Sequence, residues 1–250
     1  DSLWYQFSAD QGHTWSDAVN ITEGRDIEAR MSRGNDARLA VQGEHIVAVW
    51  MSRKEDGRHN SGPMEAMASD DNGETWQQIA SPADWDGAHG FFAMDTNTDE
   101  MSLVWLDSRT KIGGGATQGL RYAKSLDGGQ TWSANQTLDE RTCACCWNTA
   151  QYHGDDFYVL YRDKDPSDMT LGNVDSQQQW KTLSTVGAFN WDFQGCPHIG
   201  GSIAFDSTNE LIHSTVGTGH PEKTGTYYLR SKDMGKTWSS STRLGEETAV

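Results

Sequence analysis

The sequence predicts an all-β protein, a β-propeller of four-stranded blades, and three observations carry that prediction. An octapeptide recurs along the chain at blade-like spacing. Short segments in which β-branched and aromatic residues alternate stand around each copy. Glycine (26) and tryptophan (11) are abundant while proline is scarce (5), a composition suited to many tight turns joining short stacked strands.

The octapeptide stands first as Ser8-x-Asp10-x-Gly12-x-Thr14-Trp15 and again from Ser69 to Trp76, from Ser125 to Trp132 and from Ser231 to Trp238. A decayed copy from Asn173 to Trp180 keeps only Asp175 and Trp180. Each recurring residue has a physical task. The aspartate accepts backbone N–H bonds within the turn, and the glycine supplies a positive φ. The serine and threonine hydroxyls bond local backbone, and the tryptophan packs the turn onto the sheet. Together they close a hairpin. The five tryptophans recur at intervals of about 50 to 60 residues, the length of one four-stranded blade or slightly more.

Strands follow from the alternation around these turns. In a second blade they are expected at 37–41, 45–51 and 64–68, and in a third at 90–95, 102–106 and 120–124. In a fourth they fall at 146–152, 157–161 and 169–173, and in a fifth at 199–206, 211–215 and 226–230. The chain then begins on the third strand of one blade and ends as another begins. Residues 1–250 read as a single domain of about four and a half blades, part of a six-bladed ring. A five-bladed ring with an incomplete closing blade is the alternative.

The charge excludes some functions. Lys and Arg number 20 against 36 Asp and Glu, a formal charge of −16. So acidic a chain repels phosphate backbones, and nucleic acid is not expected as a partner. No stretch approaches the roughly 18 apolar residues that cross a bilayer as a helix. The first residues already read as a strand, with no basic, apolar leader.

The octapeptide resembles the Asp box of the sialidase (neuraminidase) superfamily and related propellers, and the resemblance covers nearly the whole chain. It implies a glycosidase acting on an anionic or terminal sugar, secreted or periplasmic, with no required cofactor. Sialidases hold the substrate carboxylate with three arginines and use an Asp acid/base and a Tyr nucleophile supported by a Glu. The box itself is a structural turn that many non-sialidases share, so a non-catalytic module binding a glycan or a protein is also open.

Strands of a blade run up and down, so the octapeptide turns share one face with the turns joining first and second strands. Ligands are expected on the opposite face, near the channel. Two residue sets fall there. The second strands of three blades run into Arg53, Arg109 and Arg162, a candidate clamp for a carbohydrate or other anionic small molecule, with Asp36 as candidate acid/base. Nearby carboxylates such as Asp107 and Asp163 leave a second reading open, in which these arginines make salt bridges between blades. No Tyr–Glu pair is assigned from the sequence, although Tyr161 stands close by.

The second set is Cys143-Ala-Cys145-Cys146 with Cys196-Pro-His198, where the first strands of adjacent blades begin. His89 stands at the equivalent point one blade earlier, and His220 is a further candidate. Thiolates with imidazole suit copper or zinc. Disulfides stapling adjacent blades, such as Cys143 or Cys146 to Cys196, and redox-active thiols are the alternatives. Met51, Met64, Met67 and Met94 read as core filling rather than copper ligands.

Overall fold

The computed structural model describes residues 2–25, 36–52, 62–113 and 115–246. Among these residues there is no helix, and the strands form five antiparallel sheets. The first sheet is a pair, β1 (Trp4–Tyr5) and β2 (Val19–Asn20). Four full blades follow, each a four-stranded sheet. They comprise β3 to β6 (Arg38–Gln42, His45–Met51, Met64–Ser69, Gln77–Ile79) and β7 to β10 (His89–Thr96, Met101–Ile112, Gly115–Ser125, Gln136–Asp139). Next come β11 to β14 (Thr149–His153, Asp156–Arg162, Met169–Val174, Trp180–Val186). The last blade is β15 to β18 (Gly201–Asp206, Leu211–Thr218, Gly225–Ser231, Thr242–Leu244). In every full blade, strands consecutive in the chain are neighbours in the sheet. The expected strands match these within a few residues. The differences are that β8 and β9 run on as a long hairpin past Arg109, and that Cys146 lies in a loop before β11.

The core lies between blades. Ile46 to Met51 are all buried, because both faces of β4 are covered. Side chains alternate across a strand, so Val47, Val49 and Met51 pack toward the third blade while Ala48 and Trp50 pack toward the β1–β2 pair. The same division recurs in β8, where Leu103 and Trp105 face the second blade and Val104 and Leu106 the fourth. In β12, Phe157, Val159 and Tyr161 face the third blade and Tyr158 and Leu160 the fifth. Met51, Met64 and Met67 are buried in this core, with Met94 packed against it.

The four intact octapeptide turns share one set of bonds. In the third blade the Ser125 hydroxyl donates to Asp127 Oδ1 at 2.7 Å and accepts the Gly129 N–H at 2.8 Å. The Thr131 N–H donates to Asp127 Oδ1 at 2.9 Å and its hydroxyl to Oδ2 at 2.6 Å. The copies at Asp10, Asp71 and Asp233 repeat the pattern. Gly129 has φ +91° and lies against the neighbouring blade, where a Cβ would meet Val47 Cγ2 at 2.1 Å. Trp132 and Trp238 pack against the inter-blade cores, whereas Trp15 is exposed.

Candidate functional site

The segments leading into β11 and β15 lie on the face opposite the octapeptides, and each is pinned by backbone. The Thr142 N–H donates to the Gln118 carbonyl at 2.8 Å and the Cys143 N–H to the Arg162 carbonyl at 3.0 Å. Asn148 Nδ2 donates to the Phe91 carbonyl at 2.9 Å. The second segment approaches closely because Gly200 has no Cβ, which would stand 2.9 Å from Trp147 Cβ.

These segments bring five donors together. The ligand atoms of Cys143, Cys145 and Cys146 lie within 4.8 Å of one another, and so do those of Cys145, Cys196 and His198. Cys145 belongs to both groups. All four cysteines are free thiols, and the Cys143 and Cys145 sulfurs are 4.0 Å apart, about twice the roughly 2.05 Å of a disulfide. Cys143, Cys145 and Cys146 are buried and Cys196 is exposed. The three buried thiols, Cys143, Cys145 and Cys146, influence one another's ionisation. Hydrogen bonds from Cys145 and then Cys146 push Cys143 down, while the Cys143 thiolate holds the protons of Cys145 and Cys146 and pushes both up.

Beside the thiols lies a cavity of about 100 Å³ lined by His89, Phe91, Gln118, Cys145 and His198 among others. Three buried polar atoms at its wall have no hydrogen-bond partner: His89 Nε2, Gln118 Oε1 and His198 Nδ1. Two bulky residues at the same wall have left-handed backbones, Phe91 at φ +57° and His198 at φ +52°. Phe91 sits at a register shift between β7 and β8. Strain of this kind costs of order 1–3 kcal/mol per residue and collects at functional sites.

His89 stands apart from both donor groups. Its Nδ1 accepts the Met64 N–H at 3.0 Å, so the neutral ring carries its proton on Nε2. Burial, opposed by Asp107, pulls its pKa down to about 4. His220 accepts the Glu222 N–H in its own loop and joins neither group.

Arg109 and Arg162 are each held by groups of the protein itself. Arg162 is buried and spreads its donors over the Ile199, Ser167 and Gly217 carbonyls, with its guanidinium 5.2 Å from the Trp191 ring centre. Desolvation pulls its pKa down, and the charges of Cys146, Cys143 and Asp168 oppose that. Arg109 pairs with Asp84 at 2.6 Å and Asp107 at 2.8 Å and donates to Asn135 at 2.9 Å. Asp36 is exposed, 3.7 Å from Arg38. Arg53 lies outside the described residues.

Sequence reasoning missed one Tyr–Glu pair. The Tyr152 hydroxyl donates to Glu100 Oε1 at 2.8 Å and bonds Ser102. Glu100 stands in the β7–β8 turn, on the octapeptide face, so the pair is remote from the channel mouth. Burial pushes the Tyr152 hydroxyl pKa far up. The Tyr161 hydroxyl donates to Asp139 at 2.8 Å.

Solved structures share this architecture. The leech intramolecular trans-sialidase matches with a TM-score of 0.60 at 10% identity, over 89% of this chain and 53% of that one. The NanB sialidase from Streptococcus pneumoniae matches with a TM-score of 0.58 at 11% identity, over 90% and 54%. The fold is that of a sialidase-like propeller. Similar scores extend to the Penicillium chrysogenum alpha-L-arabinanase, at 0.52 and 13% identity over 89% of this chain and 69% of that one. A protein of unknown function from Dyadobacter fermentans reaches 0.60 at 14% identity, over 88% and 72%. The chain spans about half the length of the sialidases it resembles. No family profile and no curated protein sequence matches it. No helix is long and apolar enough to cross a membrane among the described residues.

Proposed function

We propose that this propeller is a metal-binding protein whose centre is the cluster of Cys143, Cys145, Cys146, Cys196 and His198, with copper or zinc as the ion. The observation that supports this reading most is the convergence of five soft donors from two loops of adjacent blades. Sulfurs about 4 Å apart match the spacing of thiolates that share a metal, not that of a disulfide. His198, whose buried Nδ1 has no hydrogen-bond partner, adds an imidazole to the group with Cys145 and Cys196. The Arg162 guanidinium supplies positive charge against the thiolates that a bound ion requires. The metal would be held by thiolate and imidazole alone, and the thiol protons would leave to solvent as it binds.

The test is anaerobic loading of the reduced protein with Cu(I) or Zn(II), followed by elemental analysis and a count of reactive thiols. Retained metal with protection of the cluster thiols is expected. Four reactive thiols with no retained metal sinks the reading.

A second reading is a glycosidase on the same face, with Asp36, Arg53, Arg109 and Arg162 as its residues, and the likeness to sialidase folds supports it. Against it weigh the three carbonyls that occupy Arg162 and the two carboxylates that occupy Arg109. Turnover of a fluorogenic sialoside, lost in Asp36→Asn, would establish it. Glycan binding without turnover would make the propeller a recognition module.

A further inference from the structure

We infer that the cluster holds two Cu(I) ions bridged by the Cys145 thiolate, one on Cys143, Cys145 and Cys146 and the other on Cys145, Cys196 and His198. This rests on the metal-binding reading above and goes beyond it in ion, number and arrangement.

The donors impose the count. Among the described residues they fall into two overlapping groups of three, and no four of them are mutually within 4.8 Å. A structural zinc ion takes four protein ligands around one point, so either group leaves it one short. Three soft donors are a complete shell for Cu(I), an ion that favours thiolate over oxygen ligands. A thiolate sulfur keeps lone pairs after binding one ion and can bind a second. Cys145 is the residue common to both groups, so the bridge falls to it.

Charge fits the same arrangement. Each Cu(I) neutralises one thiolate, leaving two negative charges when all four cysteines are ionised. The Arg162 guanidinium, fixed by three carbonyls, faces Cys143 and Cys146 and offsets one of them. Binding is a ligand exchange without oxidation: each thiol proton passes to solvent as a sulfur–copper bond forms.

The two positions differ in access. Cys143, Cys145 and Cys146 are buried beneath Phe91. Cys196 is exposed, and His198 lines the open cavity with Cys145. The inner ion is enclosed, whereas the outer ion can exchange with a ligand in solution. An exposed thiolate suits passage of Cu(I) to another thiol, with no redox step.

Anaerobic titration of the reduced chain with Cu(I) against bicinchoninate gives the stoichiometry, and native mass spectrometry counts ions per molecule. X-ray absorption reads the donor atoms and the copper–copper distance. Two equivalents are expected, in a sulfur-dominated shell with a short copper–copper vector. Cys196→Ser, an exposed loop substitution, should keep the fold by circular dichroism and retain one equivalent. Cys145→Ser should weaken both. One equivalent on the parent protein, or two on Cys196→Ser, overturns the bridged pair while leaving a metal site standing. One Zn(II) without Cu(I) uptake does the same, and no uptake of either ion overturns both proposals.

Discussion

The two faces of this propeller solve their polar bonding in opposite ways. On the octapeptide face, four turns repeat one closed set of bonds in which serine, aspartate and threonine satisfy one another and the backbone. On the other face the described loops show no such repeat. Buried atoms of His89, Gln118 and His198 lack partners, Phe91 and His198 have strained backbones, and three buried thiols crowd together. The first face spends its sequence on the fold, through four repeats of one bonding pattern. The second retains unused bonding capacity, which marks where a ligand is to be sought.

Arg162 is where the irregular face carries the most structural weight, and its loss should give the largest effect. Arg162→Leu removes the donors to three carbonyls, two of those bonds fully buried, and the cation beside the thiols. A cost of about 3–5 kcal/mol is expected, as for breaking a buried charged network. Urea unfolding of the metal-free protein measures it. A variant as stable as its parent would show that water satisfies those carbonyls. Cu(I) affinity should fall in the same variant, and Arg162→Lys should recover part of that affinity because it keeps the charge.

The contrast explains what the sequence made legible. A repeated turn announces itself because its bonding groups lie within eight residues, so the blades could be placed from Ser69, Asp71, Gly73, Thr75 and their equivalents. The cysteines could be paired in space because equivalent points of adjacent blades must neighbour one another. The fate of the arginines was not legible. Arg162 is satisfied by carbonyls of residues 167, 199 and 217, and a carbonyl leaves no mark on the sequence. Arg109 meets Asp84 and Asn135, each about 25 residues away, rather than substrate-facing space. His89 was grouped with the thiols by position, but the Met64 amide sets its tautomer and keeps it out of both donor groups. The bulge at Phe91, which shapes the cavity wall, had only the single Gly90 inside the strand to signal it.

A single turn of the regular face should be cheaper to break. Ser125→Ala leaves the buried Gly129 N–H without an acceptor and removes a donor from Asp127. The expected loss is about 1–2 kcal/mol, and equal losses should follow at Ser69 and Ser231, which make the same bonds. Three matching shifts in the urea midpoint, with unchanged Cu(I) stoichiometry, would sharpen the division between faces. Loss of metal binding on breaking a turn would erase it.

The smallest effect expected is an acid limb of stability belonging to the regular face. Hydrogen bonds from the Thr75 and Thr237 hydroxyls and amides hold the Asp71 and Asp233 carboxyls at a pKa of about 2, below the ordinary 3.8. A depressed native pKa means that the unfolded chain binds more protons across that interval. The stabilisation is therefore complete above pH 4 and is lost as pH falls toward 2. Both residues are only half-buried and open to solvent, so screening keeps each contribution small. The thermal midpoint should decline between pH 4 and 2 in the parent and decline less in an Asp71→Asn, Asp233→Asn double variant. Below pH 2 the two proteins should converge, because protonation there removes from the parent the same carboxylate charge that the substitutions removed. Parallel curves from pH 5 to 2 would place the acid sensitivity outside these turns.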